Sequence, residues 1–192
     1  MEQSGLIKEE LTMTERDVNM KGLLLIVPIA TMIITPWMFL HFDSINSDSI
    51  KAWVETWGDW KGIVRMMAIL VAGIVAHELI HGIVFALFAK EGFRAVRFGI
   101  LIKSLTPYCH CNEPLSARHY RTSTVMPAIV LGIIPFLVSL YNGSGALLLF
   151  GLFFTIAAAG DFIILYLLRK EPAYVLVQDH PEKIGCYVFR NA

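Results

Sequence analysis

The chain has 192 residues, with 16 Lys and Arg against 16 Asp and Glu, and only 17% charged residues beside 56% hydrophobic ones. Soluble domains average about a quarter charged and under half apolar, so a mean hydropathy of +0.60 with the apolar residues gathered in long runs points to a bilayer rather than to a large soluble core. A net charge of zero at pH 7 supplies no bulk field for nucleic acid or another polyanion.

Four runs are long and apolar enough to cross a membrane, which takes about 20 residues per helix. In chain order they cover residues 22–42, 66–89, 124–141 and 146–168. No signal peptide is expected: the first run is too long for an h-region, follows 21 residues of mixed charge, and is not followed by an A-x-A site. Between the first two runs, Ile50, Trp53, Val54, Trp57 and Trp60 recur at helical spacing. This predicts an amphipathic helix in the interface, anchored by tryptophan, rather than a substrate-gating element. The third run contains Pro127 and Pro135, where kinks are expected.

Lys and Arg distribution sets the expected orientation. Lys90, Arg94, Arg97, Lys103, Arg118 and Arg121 face only Glu91 and Glu113 between the second and third runs. The link between the first two carries Lys51, Lys61 and Arg65 against Asp43, Asp48, Glu55 and Asp59. Segments 1–21, 90–123 and 169–192 are therefore expected in the cytosol, with Cys109, Cys111 and Cys186 on the reducing side and unpaired. Residues 93–103 (FRAVRFGILIK), 174–178 and 184–190 read as short strands, the last two separated by a turn at Asp179, His180, Pro181 and Glu182. The fold class is thus an all-α polytopic membrane protein, one domain over 1–192, with four transmembrane helices and a small cytosolic β element.

Within the second run stands VAHELIHGIV. Three ionisable groups at membrane depth require partners or a function. The i, i+4 spacing of H-E-x-x-H puts His77 and His81 on one helical face, where both imidazoles can reach one metal ion. Glu78 is suited to act as general base on a water at that metal rather than as a ligand. A catalytic zinc takes three protein ligands and keeps one open position. Asp161, in AAAGDFIIL, stands about as far from the end of its run as His81 does from the end of its own, and no Lys or Arg shares that depth. The small residues around both sites (Gly73, Ala76, Gly82; Ala157 to Gly160) suggest close approach of the two helices. In PYCHCNEPLSARHY, the residues Cys109, His110, Cys111 and His119 lack the usual zinc spacing, and their period of two suits a strand with both cysteines on one face. His110 or His119 could alternatively stabilise an oxyanion. His180 and Cys186 read as turn and strand residues, and His41 lies at the far end of the first run.

HELIH in one apolar helix, followed after a β-rich segment by an aspartate in a later one, resembles the site-2 protease group of intramembrane zinc metallopeptidases. The stretches HELIHG, CNEPLSARHY, AAAGD and DHPEKIGCYV look typical of a family of small bacterial membrane proteins known as putative zincin peptidases, to which the resemblance is closer. It implies zinc (Zn2+) on His77, His81 and Asp161, with Glu78 as catalytic acid and base. It also implies cleavage of a protein or peptide substrate within or beside the bilayer, at a site open to the cytosol, with no nucleic acid partner. The chain departs from site-2 proteases in reading Gly160-Asp161 rather than Asp-Gly, in having MPAIVLGIIP where an asparagine is often found, and in lacking a PDZ-like insertion. On the residues alone, a non-proteolytic zinc-binding membrane protein and a membrane scaffold remain open.

Overall fold

The computed structural model describes residues 6–101, 106–180 and 184–191. Strand β1 (Leu6–Thr12) leads into α1 (Glu15–His41), whose first turn is capped by Thr14 accepting from the backbone N–H of Asp17. Helix α2 (Ser47–Trp57) follows, closed by a capping box in which Asn46 and Ser49 satisfy each other's backbone donors. This is the amphipathic helix expected from the tryptophan spacing, except that Trp60 belongs to the next element. Asp59 caps α3 (Trp60–Phe88) by accepting from Gly62 N–H at 2.6 Å, so the helix begins six residues ahead of the expected position 66.

After α3 the chain reverses through Gly92, at φ +60°, and a short 3-10 turn over Gly92–Ala95. The strand expected over 93–103 is therefore confined to β2 (Val96–Leu101), and residues 102 and 103 lie outside those described. β2 pairs antiparallel with β3 (Thr106–Cys111), and a two-residue β4 (Leu115–Ser116) precedes α4 (Ala117–Pro127). The helix continues through Ala128–Ile133, wound as a π-helix, into α5 (Ile134–Asn142). Pro127 and Pro135 bracket that widened segment. A proline offers no N–H to the carbonyl four residues back, so the carbonyls of Ser123 and Leu131 lose their helical donors.

The fourth apolar run is not one continuous helix. It divides into α6 (Gly145–Ala157) and α7 (Ala159–Leu168), bent by 46° at Ala158, whose ψ of 10° leaves the helical range. The run Ala157-Ala158-Ala159-Gly160 has no side chain large enough to oppose the bend, and Gly160 weakens helix continuity. Among the described residues, three helices (Met20–Ser44, Trp60–Phe88 and Ala117–Asn142) are long and apolar enough to cross a membrane, or four if the bent pair counts as one span.

The β structure is larger than expected and includes the N-terminal segment. β5 (Leu176–Asp179) and β6 (Gly185–Asn191) join β1 and β4 in an antiparallel sheet of order β1-β6-β5-β4, beside the separate β2–β3 hairpin. Of the turn expected between the tail strands, Asp179 ends β5, while Pro181 and Glu182 lie outside the described residues. The sheets and the ends of α3, α4 and α7 share one apolar core, built on Phe85, Cys111, Leu115, Tyr120, Leu168, Val177, Cys186 and Val188. A second, smaller core of Ile33, Trp37 and Leu148 joins α1 to α6.

Helix α6 lies unusually close to the π-helical segment. A Cβ on Gly151 would stand 2.7 Å from the carbonyl oxygen of Gly132 and 2.9 Å from the amide nitrogen of Phe136, both backbone atoms that cannot swing aside. Gly151→Ala is therefore expected to cost about 1–3 kcal/mol. Gly145→Ala, which meets nothing within 4 Å, should leave stability unchanged or slightly raised. Thermal unfolding of the two variants in detergent checks the contrast, and equal melting points would refute the close approach.

Candidate metal centre

Most of the α3 surface is apolar and exposed, as at Val75, Leu79, Ile83 and Leu87, but Gly73, His77, His81 and Phe85 form a buried stripe four residues apart. The two histidines thus face inward on a helix that otherwise suits lipid. Asp161 approaches them from the first turn of α7, just beyond the bend. Its two carboxylate oxygens divide between the rings: Oδ2 lies 3.2 Å from His77 Nε2, and Oδ1 lies 3.3 Å from His81 Nε2. The ligand atoms of the three residues all fall within 4.8 Å of one another, so the group could hold a metal ion.

One hydrogen bond fixes what His81 presents. Its Nδ1 lies 2.9 Å from the carbonyl oxygen of Ser123. A carbonyl can only accept, so Nδ1 carries the hydrogen and the neutral ring turns its Nε2 lone pair toward Asp161. A lone pair facing a carboxylate oxygen is repulsive unless a proton or a cation lies between them. Ligand atoms about 2.0–2.2 Å from a tetrahedral zinc stand roughly 3.4 Å apart, close to the observed separations. The donor set and its spacing fit zinc. His77 Nδ1 is buried and has no hydrogen-bond partner among the described residues, so only His81 has its ring orientation fixed through the second nitrogen.

Helix α4 packs closely against both α3 and α7. It supplies the Ser123 carbonyl to His81, and Arg121 Nη2 donates to Leu168 O at 2.9 Å and to Glu171 O, capping the end of α7. Tyr120, which packs against Phe85 one turn beyond His81, donates its hydroxyl to Asp179 Oδ1, while the backbone N–H of Cys111 donates to Asp179 Oδ2 at 2.7 Å. The sheets are thereby fastened to the helix that orients His81. The small residues act differently from the expectation. Gly73 receives the ring of Phe154 and Gly82 that of Phe98, with Cβ positions 2.2 and 2.3 Å from those rings, and Gly160 meets nothing within 4 Å. Gly73 and Gly82 are notches for aromatic rings, and α3 and α7 meet here through the side chains of His77, His81 and Asp161.

Glu78, one position past His77, is half-buried and faces the hairpin, where its carboxylate helps to raise the pKa of the Cys109 thiol. Cys109 and Cys111 are buried on one face of β3, and His110 points the other way, as their period of two predicts. His119 stacks on Phe88 at 4.2 Å and His41 binds the Leu140 carbonyl at 2.8 Å. His180 is buried and pairs with Glu10 at 3.2 Å, and Cys186 is wholly buried in β6. Among the described residues, only His77, His81 and Asp161 form a ligand cluster. Ser123, Pro127, Tyr120, Arg121 and Asp179 were not singled out as site residues from sequence. A proline four residues after a polar position was the one signal for Ser123.

All three thiols are free. Burial, reinforced by nearby carboxylates, pushes Cys111 up to about 11 and Cys186 to about 12, and raises Cys109 as well. At pH 8 the folded protein should react with Ellman's reagent at least about a hundredfold more slowly than the unfolded chain. Release of all three equivalents should follow denaturation, and rapid native labelling would contradict the buried placement.

Comparison with protein families matches residues 70–176 to the family described as "Putative zincin peptidase". The matched region contains His77, Glu78, His81 and Asp161 together with α4 and both strands of the hairpin. No curated protein and no solved structure matches the chain. The match covers more than half of the sequence, and with it the chain belongs to the putative zincin peptidase family.

Proposed function

We propose that this protein is a membrane-embedded zinc metallopeptidase of the site-2 protease type, with four membrane crossings and a site reached from the cytosol. His77, His81 and Asp161 hold the metal, Glu78 is the catalytic acid and base, and the substrate is a protein or peptide within or beside the bilayer. The observation that carries this reading is the convergence of two imidazole Nε2 atoms on the two oxygens of one carboxylate, at 3.2 and 3.3 Å, inside an apolar helix bundle. Family membership supports the metallopeptidase class. The Lys and Arg excess around the β-rich pole supports the cytosolic side.

A zinc ion held there would act as a Lewis acid and lower the pKa of a water molecule to about 7. The protein's own residues do the rest. Glu78 lies about 100° around the helix from His77, off the ligand stripe yet beside it. Its carboxylate takes a proton from the attacking water as the oxygen adds to the amide carbonyl carbon. It then returns that proton to the nitrogen as the carbon–nitrogen bond breaks, leaving a carboxylic acid and an amine, which exchange a proton to become carboxylate and ammonium. Ser123 holds the His81 ring, and α4 fixes the spacing between His81 and Asp161.

Metal analysis of the purified protein should find one zinc per chain, lost or weakened in His77→Ala, His81→Ala and Asp161→Ala. Glu78→Gln should keep its zinc and lose about 100-fold to 10,000-fold in hydrolysis of a proteome-derived peptide library. Zinc retained in all three ligand variants would refute the site, and activity retained in Glu78→Gln would refute its role.

Pro127→Ala restores an N–H that competes with His81 Nδ1 for the Ser123 carbonyl. Zinc affinity is expected to fall about 10-fold or more, as when the outer hydrogen-bond partner of a ligating histidine is lost. Competition titration with a zinc chelator measures this, and an unchanged dissociation constant would show that the carbonyl serves both donors without conflict.

A further inference from the structure

Alternation along the β2–β3 hairpin gives it two unlike faces. Val96, Phe98, Cys109 and Cys111 turn toward α3 and the core. Arg97, Tyr108 and His110 occupy the other face, with Arg97 directly across from His110 and the rings of Tyr108 and His110 4.5 Å apart. On the larger sheet, Tyr187 is paired with Gln178, and Lys8 Nζ lies 3.4 Å from the centre of the Tyr187 ring. The two polar faces meet where Gln178 Nε2 donates to Asn112 O at 2.6 Å. Between them is an open cavity of about 420 Å³, lined by Lys8, Arg97, Tyr108, His110, Gln178 and Tyr187.

The cavity is short of negative charge. Lys8 and Arg97 bring two fixed positive charges to it, and among the described residues Asp179 is the one carboxylate on its lining. Both Asp179 oxygens already accept, Oδ1 from the Tyr120 hydroxyl and Oδ2 from the Cys111 N–H. The neighbouring carboxylates of β1 turn elsewhere, Glu10 to His180 and Glu9 to Arg190. Among the described residues, neither Arg97 nor Lys8 has a carboxylate partner. Single cations on an open surface need none, but two on the walls of one concavity focus a positive potential on the space between them.

We infer that this cavity binds the phosphate of a phosphomonoester, held by Arg97 and Lys8, with its organic part between Tyr108 and Tyr187. A phosphomonoester carries about −1.5 to −2 charge at pH 7 and three acceptor oxygens, which answers two cations where a carboxylate answers one. The guanidinium fork donates to two phosphate oxygens at once, and the ammonium adds a point charge. The volume lies toward the lower end of small-molecule sites, roughly 300–1,000 Å³, so it suits a small ester. Soluble glycerol or sugar phosphates present this chemistry, and so does the headgroup of phosphatidic acid. The site lies on the opposite face of the hairpin from α3, and it stands independently of the metallopeptidase reading.

Calorimetric titration of the full-length protein in non-ionic detergent tests this with two probes, glycerol 3-phosphate and short-chain phosphatidic acid. One of them should bind saturably at one site per chain, and which one does so identifies the source. Glycerol and short-chain diacylglycerol should not bind. Arg97→Ala and Lys8→Gln should each weaken binding about tenfold or more, the loss of one charge-assisted contact. Arg97→Lys, which keeps the charge without the fork, should recover part of it. Both side chains are exposed, and an unchanged melting temperature shows that the variants keep the fold. Binding of neither probe, or binding that either Arg97→Ala or Lys8→Gln leaves unchanged, overturns the proposal. An equal loss in Lys51→Gln, on α2, marks general attraction to surface charge and overturns it too. Glycerate should displace the bound probe less effectively than inorganic phosphate, and equal displacement overturns the phosphate assignment.

Discussion

The hydrogen bond from His81 Nδ1 to the Ser123 carbonyl is available because Pro127, four residues on, has no N–H to direct at that oxygen. A vacancy in one helix's hydrogen-bond ladder thus becomes the anchor for a side chain on another. The consequence reaches both other parts of the centre. The same helix caps α7 through Arg121, which steadies the segment carrying Asp161, and it is tied to the sheets through Tyr120 and Asp179. α4 contributes none of the three candidate ligand atoms, yet both helices that carry them pack against it.

Placing these groups among apolar helices has an energetic cost, about 2.5–3.5 kcal/mol for a charged residue at the centre of a membrane helix. The arrangement offsets part of it by giving all of these polar atoms but His77 Nδ1 a polar neighbour. The imidazoles face a carboxylate, the carboxylate faces two rings, and the Ser123 carbonyl faces an N–H. The glycine notches belong to the same economy of space. Phe154 and Phe98 fill the flanks of α3 at Gly73 and Gly82, so apolar rings occupy its sides and leave the His77–His81 stripe to Asp161.

The grouping of His77, His81 and Asp161, which could hold a metal ion, was legible because each part has a local signature: a helical spacing for the two histidines, and a carboxylate at matching depth for Asp161. The alternation of Cys109 and Cys111 and the tail strands were legible for the same reason. The break at Ala158 was not, because a run of alanines is compatible with a straight helix, and only packing decides that it bends. β1 was also missed. LIKEELT alternates weakly, Leu11 packs against the core while Ile7 is exposed, and its partner lies at the other end of the chain. The support of His81 by Ser123 depends on two helices meeting in one register, which no single segment encodes.

The pairing of β1 with β6 joins Leu6 to Asn191 and Thr12 to Gly185, so residues near the two ends of the chain form adjacent strands of one sheet. A strand pair cannot straddle a bilayer, and the number of crossings between its members is therefore even. If Met20–Ser44, Trp60–Phe88 and Ala117–Asn142 each cross once, the chain stands on the opposite side from β1 when it reaches α6. It returns to β6 only if α6 and α7 together traverse the membrane. On the four-crossing reading proposed above, the bend beneath Asp161 is a joint within the last passage.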